Sequence, residues 1–158
     1  MIKPGDEPGT SGTGILPIPV RWLVVGGAFP EQDSGRLLTF TDLGSGLDLT
    51  LAYAWTDARD ETTGARLLRI PEHAGSATLG WTSDRLSGAL TLRAEGDQDD
   101  AGGVRDSFVT ANLNAAWQLT DDVALTARIE NLADERYQQV LGYGEPGRSG
   151  YVGVRFQY

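Results

Sequence analysis

From residue 46 onward the chain alternates apolar and polar positions, the period-2 spacing at which a strand sends successive side chains to opposite faces. Leu47, Leu49, Leu51, Tyr53 and Trp55 share one face, against Asp48, Thr50, Ala52, Ala54 and Thr56. The pattern returns with Ala77, Leu79 and Trp81 against Ser76, Thr78 and Gly80, and with Leu86, Leu90, Leu92 and Ala94 against Ser87, Thr91, Arg93 and Glu95. Val109, Ala111, Leu113, Ala115, Trp117 and Leu119 then oppose Thr110, Asn112, Asn114 and Gln118. Val123, Leu125, Ala127 and Ile129 oppose Thr126, Arg128 and Glu130, and finally Val152, Val154, Phe156 and Tyr158 oppose Tyr151, Gly153, Arg155 and Gln157. The alternation predicts about six strands, each near the length that crosses a bilayer when tilted. Residues 37–41, ahead of the turn Leu43-Gly44-Ser45-Gly46, predict a further one.

The connections alternate as well. Ser83-Asp84-Arg85 and Thr120-Asp121-Asp122 have the composition of tight turns, whereas residues 57–73, 96–107 and 134–150 are long and polar. Short links at one end and long ones at the other describe an all-β, antiparallel up-and-down meander of about six to seven strands. Residues 1–35 are rich in Gly, Pro and Ser and read as an irregular leader with one short strand at residues 21–25; residues 36–158 read as part of a β-barrel.

Alternation alone does not identify the solvent on the apolar face, because a soluble ligand-binding β-barrel alternates too, with its apolar side inward. No apolar run reaches the roughly 18–20 residues of a membrane helix; the longest, residues 15–29, is broken by Pro17, Pro19 and Arg21. Strands hide apolar positions by alternation, so a mean hydropathy of −0.26 fits a membrane barrel and a soluble one alike. Three features favour the membrane. The polar face carries Arg93, Glu95, Arg128, Glu130 and Arg155, suiting a wet, wide lumen; Trp81 and Trp117 stand just before tight turns, where an interfacial aromatic girdle falls; and the last strand closes on Phe156-Gln157-Tyr158. A small closed pore, with residues 1–45 adding two strands, is the other alternative.

Charge and composition narrow the chemistry. The net charge of −9, from 22 acidic and 13 basic residues, argues against nucleic-acid binding, which needs a basic face. There is no cysteine, which removes disulfides, thiolate metal sites and cysteine nucleophiles. No nucleophile, base and orienting group recur together and no phosphate-binding Gly loop is present, so neither an enzyme nor a cofactor is expected. His73 is the only histidine and reads as a polar rim residue, not a metal ligand. Asp97, Asp99 and Asp100, like Asp57, Asp60 and Glu61, read as solvated acidic loops without the Gly-anchored spacing of a calcium loop; no metal is expected. The segment from Gly142 to Arg148 is the candidate for substrate contact, joining Tyr143 to the Pro146-Gly147 turn and the cation Arg148. Arg148 reads equally well as a rim cation pairing with lipid phosphates or with Glu145.

Several segments resemble the C-terminal region of TonB-dependent outer-membrane receptors, most of all the cobalamin transporter branch. They are LAYAWTDARD, LLRIPEHAGSATLGW and LTARIENLADERYQQVLGYGEPGRSGYVGVRFQY, together covering much of residues 46–158. Asn131, Leu132, Asp134 and Tyr137 resemble a family signature near the C-terminus, and Gly142-Tyr143 with Pro146-Gly147-Arg148 resembles the last extracellular loop. Tyr151, Phe156 and Tyr158 resemble the terminal-strand signal read by the barrel-assembly machinery. The resemblance implies an outer-membrane location, contact with outer-membrane lipid, periplasmic tight turns and outward-facing long loops. It also implies uptake of a small nutrient, cobalamin or a ferric siderophore. Such receptors carry a plug and barrels of about 22 strands. The chain is accordingly expected to be incomplete, meeting TonB only through N-terminal parts it lacks; no signal peptide is visible at its start.

Overall fold

The computed structural model describes residues 20–26 and 32–157. In chain order its elements are β1 (Val20–Gly26), β2 (Gln32–Gly44), β3 (Leu47–Ala58), β4 (His73–Thr82), β5 (Leu86–Glu95), β6 (Gln98–Asp100), β7 (Gly103–Arg105), β8 (Phe108–Gln118), β9 (Val123–Glu130), β10 (Gln138–Val140), β11 (Tyr143–Gly144) and β12 (Ser149–Phe156). Eight of them form one sheet in the order β1-β2-β3-β4-β5-β8-β9-β12, every neighbouring pair antiparallel. The remaining four make two small hairpins, β6 with β7 and β10 with β11, at the end where the long connections lie.

The expected meander is present, with one strand more than the alternation gives. The addition is β1, which contains the short stretch read at residues 21–25 and pairs with β2 from Val20↔Thr41 to Gly26↔Gly35. β2 itself is 13 residues long, well beyond residues 37–41. Its first half, Gln32-Asp33-Ser34-Gly35-Arg36, has no apolar rhythm, yet it is paired with β3 from Gln32↔Ala58 onward. Strand pairing therefore begins ahead of residue 36, where the sequence reading starts the barrel; residues 1–19 lie outside the described residues.

Register makes the two faces continuous, because directly opposed residues in an antiparallel pair share a face. Leu49 opposes Leu79, Leu79 opposes Leu90, Leu90 opposes Leu113 and Leu113 opposes Ile129. This apolar face is bare: Leu51 is 39% exposed, Trp117 53%, Val154 54% and Phe156 70%. The other face runs through Thr50, Thr78, Thr91, Asn112 and their neighbours, with a hydrogen bond of 3.0 Å between Thr78 and Thr91. β2 departs from the rule, since its register sets Leu38 and Phe40 beside Ala52 and Thr50 on the polar face, about half exposed. The soluble-barrel alternative is not what the structure shows. It needs the leucines and tryptophans enclosed, and only Ala58, Phe108 and Ala124 are buried hydrophobics among the described residues. Nor do β1 and β12 pair with each other, so the small closed pore is not formed by these strands.

The tight-turn end is held by short, local hydrogen bonds. Ser83 N–H donates to the Leu86 carbonyl at 2.8 Å and its hydroxyl accepts from Leu86 N–H at 3.3 Å. Thr120 and Val123 bracket the second turn, with Asp122 N–H on the Thr120 hydroxyl at 3.3 Å. In the first hairpin Gly44, Ser45 and Gly46 all have positive φ. A Cβ on Gly46 would lie 1.9 Å from the Thr82 carbonyl oxygen, so only glycine fits there. Trp81 lies across Gly88, where a Cβ would come within 2.2 Å of the indole. With Trp117 two strands from Trp81, it forms an aromatic edge at this end of the bare face.

A charge at the centre of the apolar face is expected to be costly only if hydrocarbon covers it. Leu113→Arg should cost about 2–4 kcal/mol in refolding into lipid bilayers, the range for a midplane arginine on a barrel exterior. Asn114→Arg, one residue away on the polar face, should cost less than half as much. Urea titration of the chain in bilayers measures both, and equal penalties would mean that the sheet is assigned inside out.

Candidate functional site

At the long-loop end the long polar connections are themselves folded. The loop after β3 folds back through a bridge between Arg59 and Arg66, and the next two carry the β6–β7 and β10–β11 hairpins. All three meet at Asp100. Its side chain is 1% exposed and bonded to Arg69 Nε at 2.8 Å, while its second oxygen accepts from Leu141 N–H at 2.9 Å. Asp100 also accepts from Ala101 N–H at 2.7 Å, and Arg69 N–H donates to the Asp99 carbonyl at 2.7 Å. Gln98, also buried, donates to the Gln139 carbonyl at 3.1 Å. Asp100 is thus a correction to the solvated acidic loop predicted for Asp97, Asp99 and Asp100: a carboxylate engaged by three partners is no longer free for a cation. The Arg69 hydrogen bond, followed by that of Leu141, holds its pKa below the ordinary carboxylate value.

A second knot forms where β9 ends. Asn131, 4% exposed, bonds the backbone of Glu135 with both ends of its amide, at 2.8 and 2.9 Å, and reaches the Pro146 carbonyl at 3.2 Å. Its own N–H donates to Asn112 Oδ1 at 2.9 Å, and Leu132 N–H donates to the Ala111 carbonyl at 2.7 Å. Asp134 accepts from Arg148 N–H at 2.8 Å. Asn131 and Asp134 both adopt positive φ, 50° and 56°, a conformation that Asn and Asp tolerate better than most residues. The Tyr137 ring packs on Phe108 at 4.5 Å. The four signature residues thus gather the strand exit, the last long loop and the approach to β12.

The other predicted residues are spread around this framework. Tyr143 is 74% exposed on β11, and Arg148 is exposed before β12; among the described residues no ion pair joins Arg148 to Glu145. His73 Nδ1 is 2.8 Å from the Tyr53 hydroxyl, at the apolar-face rim. Asp60 is taken up by Thr62 N–H and by both Thr63 N–H and hydroxyl, and the Thr63 bonds lower its pKa. Asp57 pairs with Arg59 at 2.8 Å. Tyr151 lies under the Arg128 guanidinium at 4.5 Å, Phe156 is bare on the apolar face, and Tyr158 lies outside the described residues. Sequence reading passed over Arg69, Gln98 and Arg105; no local pattern marks them, since Arg69 shares its loop with Arg59 and Arg66.

Removing the Asp100 charge should loosen the loops and leave the sheet intact. Asp100→Asn is expected to speed amide exchange at Leu141 and Ala101 at least about tenfold, with β8 and β9 amides unchanged. Because the folded pKa is lowered, the contribution of Asp100 is complete above the unfolded value of about 4 and is lost as pH falls through the folded value. Protection of the Leu141 amide in the parent chain, relative to an unstructured amide at the same pH, should therefore fall as Asp100 is protonated and approach that of the variant.

Comparison with known proteins agrees with this architecture. The family described as TonB dependent receptor-like, beta-barrel matches residues 26–132, more than half of the chain. The metal-pseudopaline receptor CntO of Pseudomonas aeruginosa is 33% identical over 125 residues, 70% of this chain and 17% of the receptor. The vitamin B12 transporter BtuB of Vibrio vulnificus is 26% identical over 110 residues, 66% of this chain and 18% of the transporter. The cobalamin branch is thus one of several to which the chain is similar. Among solved structures, the copper transporter OprC superposes with a TM-score of 0.72 at 20% identity, over 80% of this chain and 24% of that one, a likeness of fold. The chain spans about a fifth of the length of these relatives. The chain belongs to the TonB-dependent receptor family of outer-membrane β-barrels and forms a section of the barrel wall.

Proposed function

We propose that this chain supplies the last section of the wall of an outer-membrane uptake receptor for a small nutrient, a metal chelate or cobalamin. The observation that carries the reading is the two-faced sheet: a bare apolar surface along β3, β4, β5, β8, β9 and β12, backed by a polar surface with Arg93, Arg128 and Arg155. Such a wall suits lipid outside and water inside. The tight turns would lie at the periplasm and the knotted loops outside, where Tyr143 and Arg148 offer an aromatic ring and a cation to the nutrient. TonB would act through parts of the receptor other than this section. The names of the metal-pseudopaline receptor and the vitamin B12 transporter support both ligand classes.

The terminal strand carries the assembly part of the reading. Phe156 opposes Val123 and is 70% exposed at the end of the apolar stripe, the position at which the barrel-assembly machinery would read Tyr151, Phe156 and Tyr158. The test grafts residues 26–158 into the Pseudomonas aeruginosa metal-pseudopaline receptor in place of the matching section. The chimera should reach the outer membrane and retain energy-dependent chelate uptake, with Tyr143→Ala and Arg148→Ala together lowering uptake at least about fivefold. Phe156→Ser should reduce outer-membrane yield severalfold while refolding of the purified chain in detergent stays normal. A chimera that inserts but takes up nothing would refute the transport reading, and full insertion of Phe156→Ser would refute the assembly signal.

A further inference from the structure

Between the β6–β7 hairpin and the corner after β9 is a small hollow of about 160 Å³, lined by Arg105, Asp106, Ser107, Arg136, Tyr137 and Gln138, with Leu141 as its one aliphatic wall. Arg105 is the largest fully buried side chain among the described residues, 1% exposed. It donates to the Gly96 and Asp106 carbonyls at 2.8 and 2.9 Å and meets Glu95 at 3.2 Å, and its guanidinium stacks over Phe108 at 5.0 Å. Its Nε is buried with no partner. A buried donor left unsatisfied is uncommon in folded proteins, and an unoccupied ligand position is one physical explanation for it.

The rest of the lining has the same bias. Among the described residues the Arg136 guanidinium and the hydroxyls of Ser107 and Tyr137 have no hydrogen-bond partner; Gln138 uses its oxygen on Gly142 N–H at 2.7 Å, leaving its amide N–H groups free. Against these donors stands one lining carboxylate, Asp106. Glu95, the counter-ion of Arg105, is shared with Arg93. Within a chain of net charge −9, this hollow gathers cations and spare donors. We propose that it is a binding site for a small oxyanion, a carboxylate or phosphate group, held by Arg105 and Arg136 with Ser107, Tyr137 and Gln138 completing the shell. Paired guanidiniums give charge-assisted hydrogen bonds to such groups.

Size and position specify the occupant further. The hollow is smaller than the roughly 300–1,000 Å³ that hold a whole drug-sized ligand, so it takes one acidic group of a larger molecule or a small free anion. Arg105 packs on Phe108, whose register places it with Thr110 and Asn112 on the polar face, away from the lipid side. The occupant is therefore a water-soluble anion entering from the polar side; resting on the uptake reading, it is an acidic group of the nutrient.

Isothermal titration of the full chain refolded in detergent, with inorganic phosphate, citrate and neutral glycerol as separate probes, tests the site without any transport step. Saturable binding of phosphate or of citrate, and none of glycerol, is expected, and the preferred anion identifies the ligand as phosphoryl or carboxylate. Arg136→Gln should weaken binding at least about tenfold, whereas Asp106→Asn should tighten it severalfold by removing the competing carboxylate. Both positions are exposed, and circular dichroism checks that the variants keep the parent fold. Absence of binding by both anions, binding unchanged in Arg136→Gln, or weaker binding in Asp106→Asn would overturn the proposal. Failure of uptake in the chimera with anion binding intact would instead refute the transport reading and leave this site standing as a small-anion site.

Discussion

In hydrocarbon there is no water to accept or donate a hydrogen bond, so every backbone amide of a spanning strand must be satisfied by its neighbours. The eight-stranded meander follows from that requirement. Pairing runs without a break from β3 to β5 and on through β8, β9 and β12, and the one register shift in the sheet, between Asp42 and Gly44, sits at a hairpin end. The same requirement explains why the turns are so economical at one end. Ser83 and Thr120 cap their own hairpins with side-chain oxygens, and no long excursion of free backbone is left near the aromatic edge made by Trp81 and Trp117.

Burial in this molecule is inverted relative to a water-soluble domain. The leucines and valines of the sheet are bare, and the enclosed side chains are mostly polar: Thr39, Gln98, Asp100, Arg105, Thr110 and Asn131. Apolar burial therefore does little to order the long loops, which rely on polar knots whose members are costly to leave unpaired. Asp100 and Asn131 each do this with one short side chain bonded to backbone from a distant loop segment, a geometry that fixes the loops without a core beneath them.

The sheet was legible because alternation is the direct imprint of a two-faced wall, and β3, β4, β5, β8, β9 and β12 fall where the pattern places them. β2 was only partly legible: Leu37, Leu38 and Phe40 put apolar side chains on both faces, and its first half is held by pairing with β3 without any hydrophobic signal. The hairpins β6–β7 and β10–β11 left no trace, since Gln98-Asp99-Asp100 has the composition of a coil and becomes a strand through Arg69, Leu141 and Gln139. Asn131, Asp134 and Tyr137 were visible as a family resemblance, but their partners Asn112, Arg148 and Phe108 come from elsewhere in the chain and only folding brings them together. Asp100 was misjudged for the same reason: its neighbours in sequence are acids, and its neighbours in space are not.

In a meander each strand is zipped only to the strands before and after it, so a pull on either end detaches one strand at a time at low force. The Asp100 knot changes the mechanics, because Arg69, Asp100 and Leu141 belong to the loops of three successive hairpins. A strand drawn out from the β12 side first tugs β10–β11, and through Leu141 the tension passes to β6–β7 and the loop after β3 before the strands beneath them have parted. The wall from β3 to β12 would then resist extraction as a single plate, whose loops are tied to one another above strands that pairing alone would let go in turn.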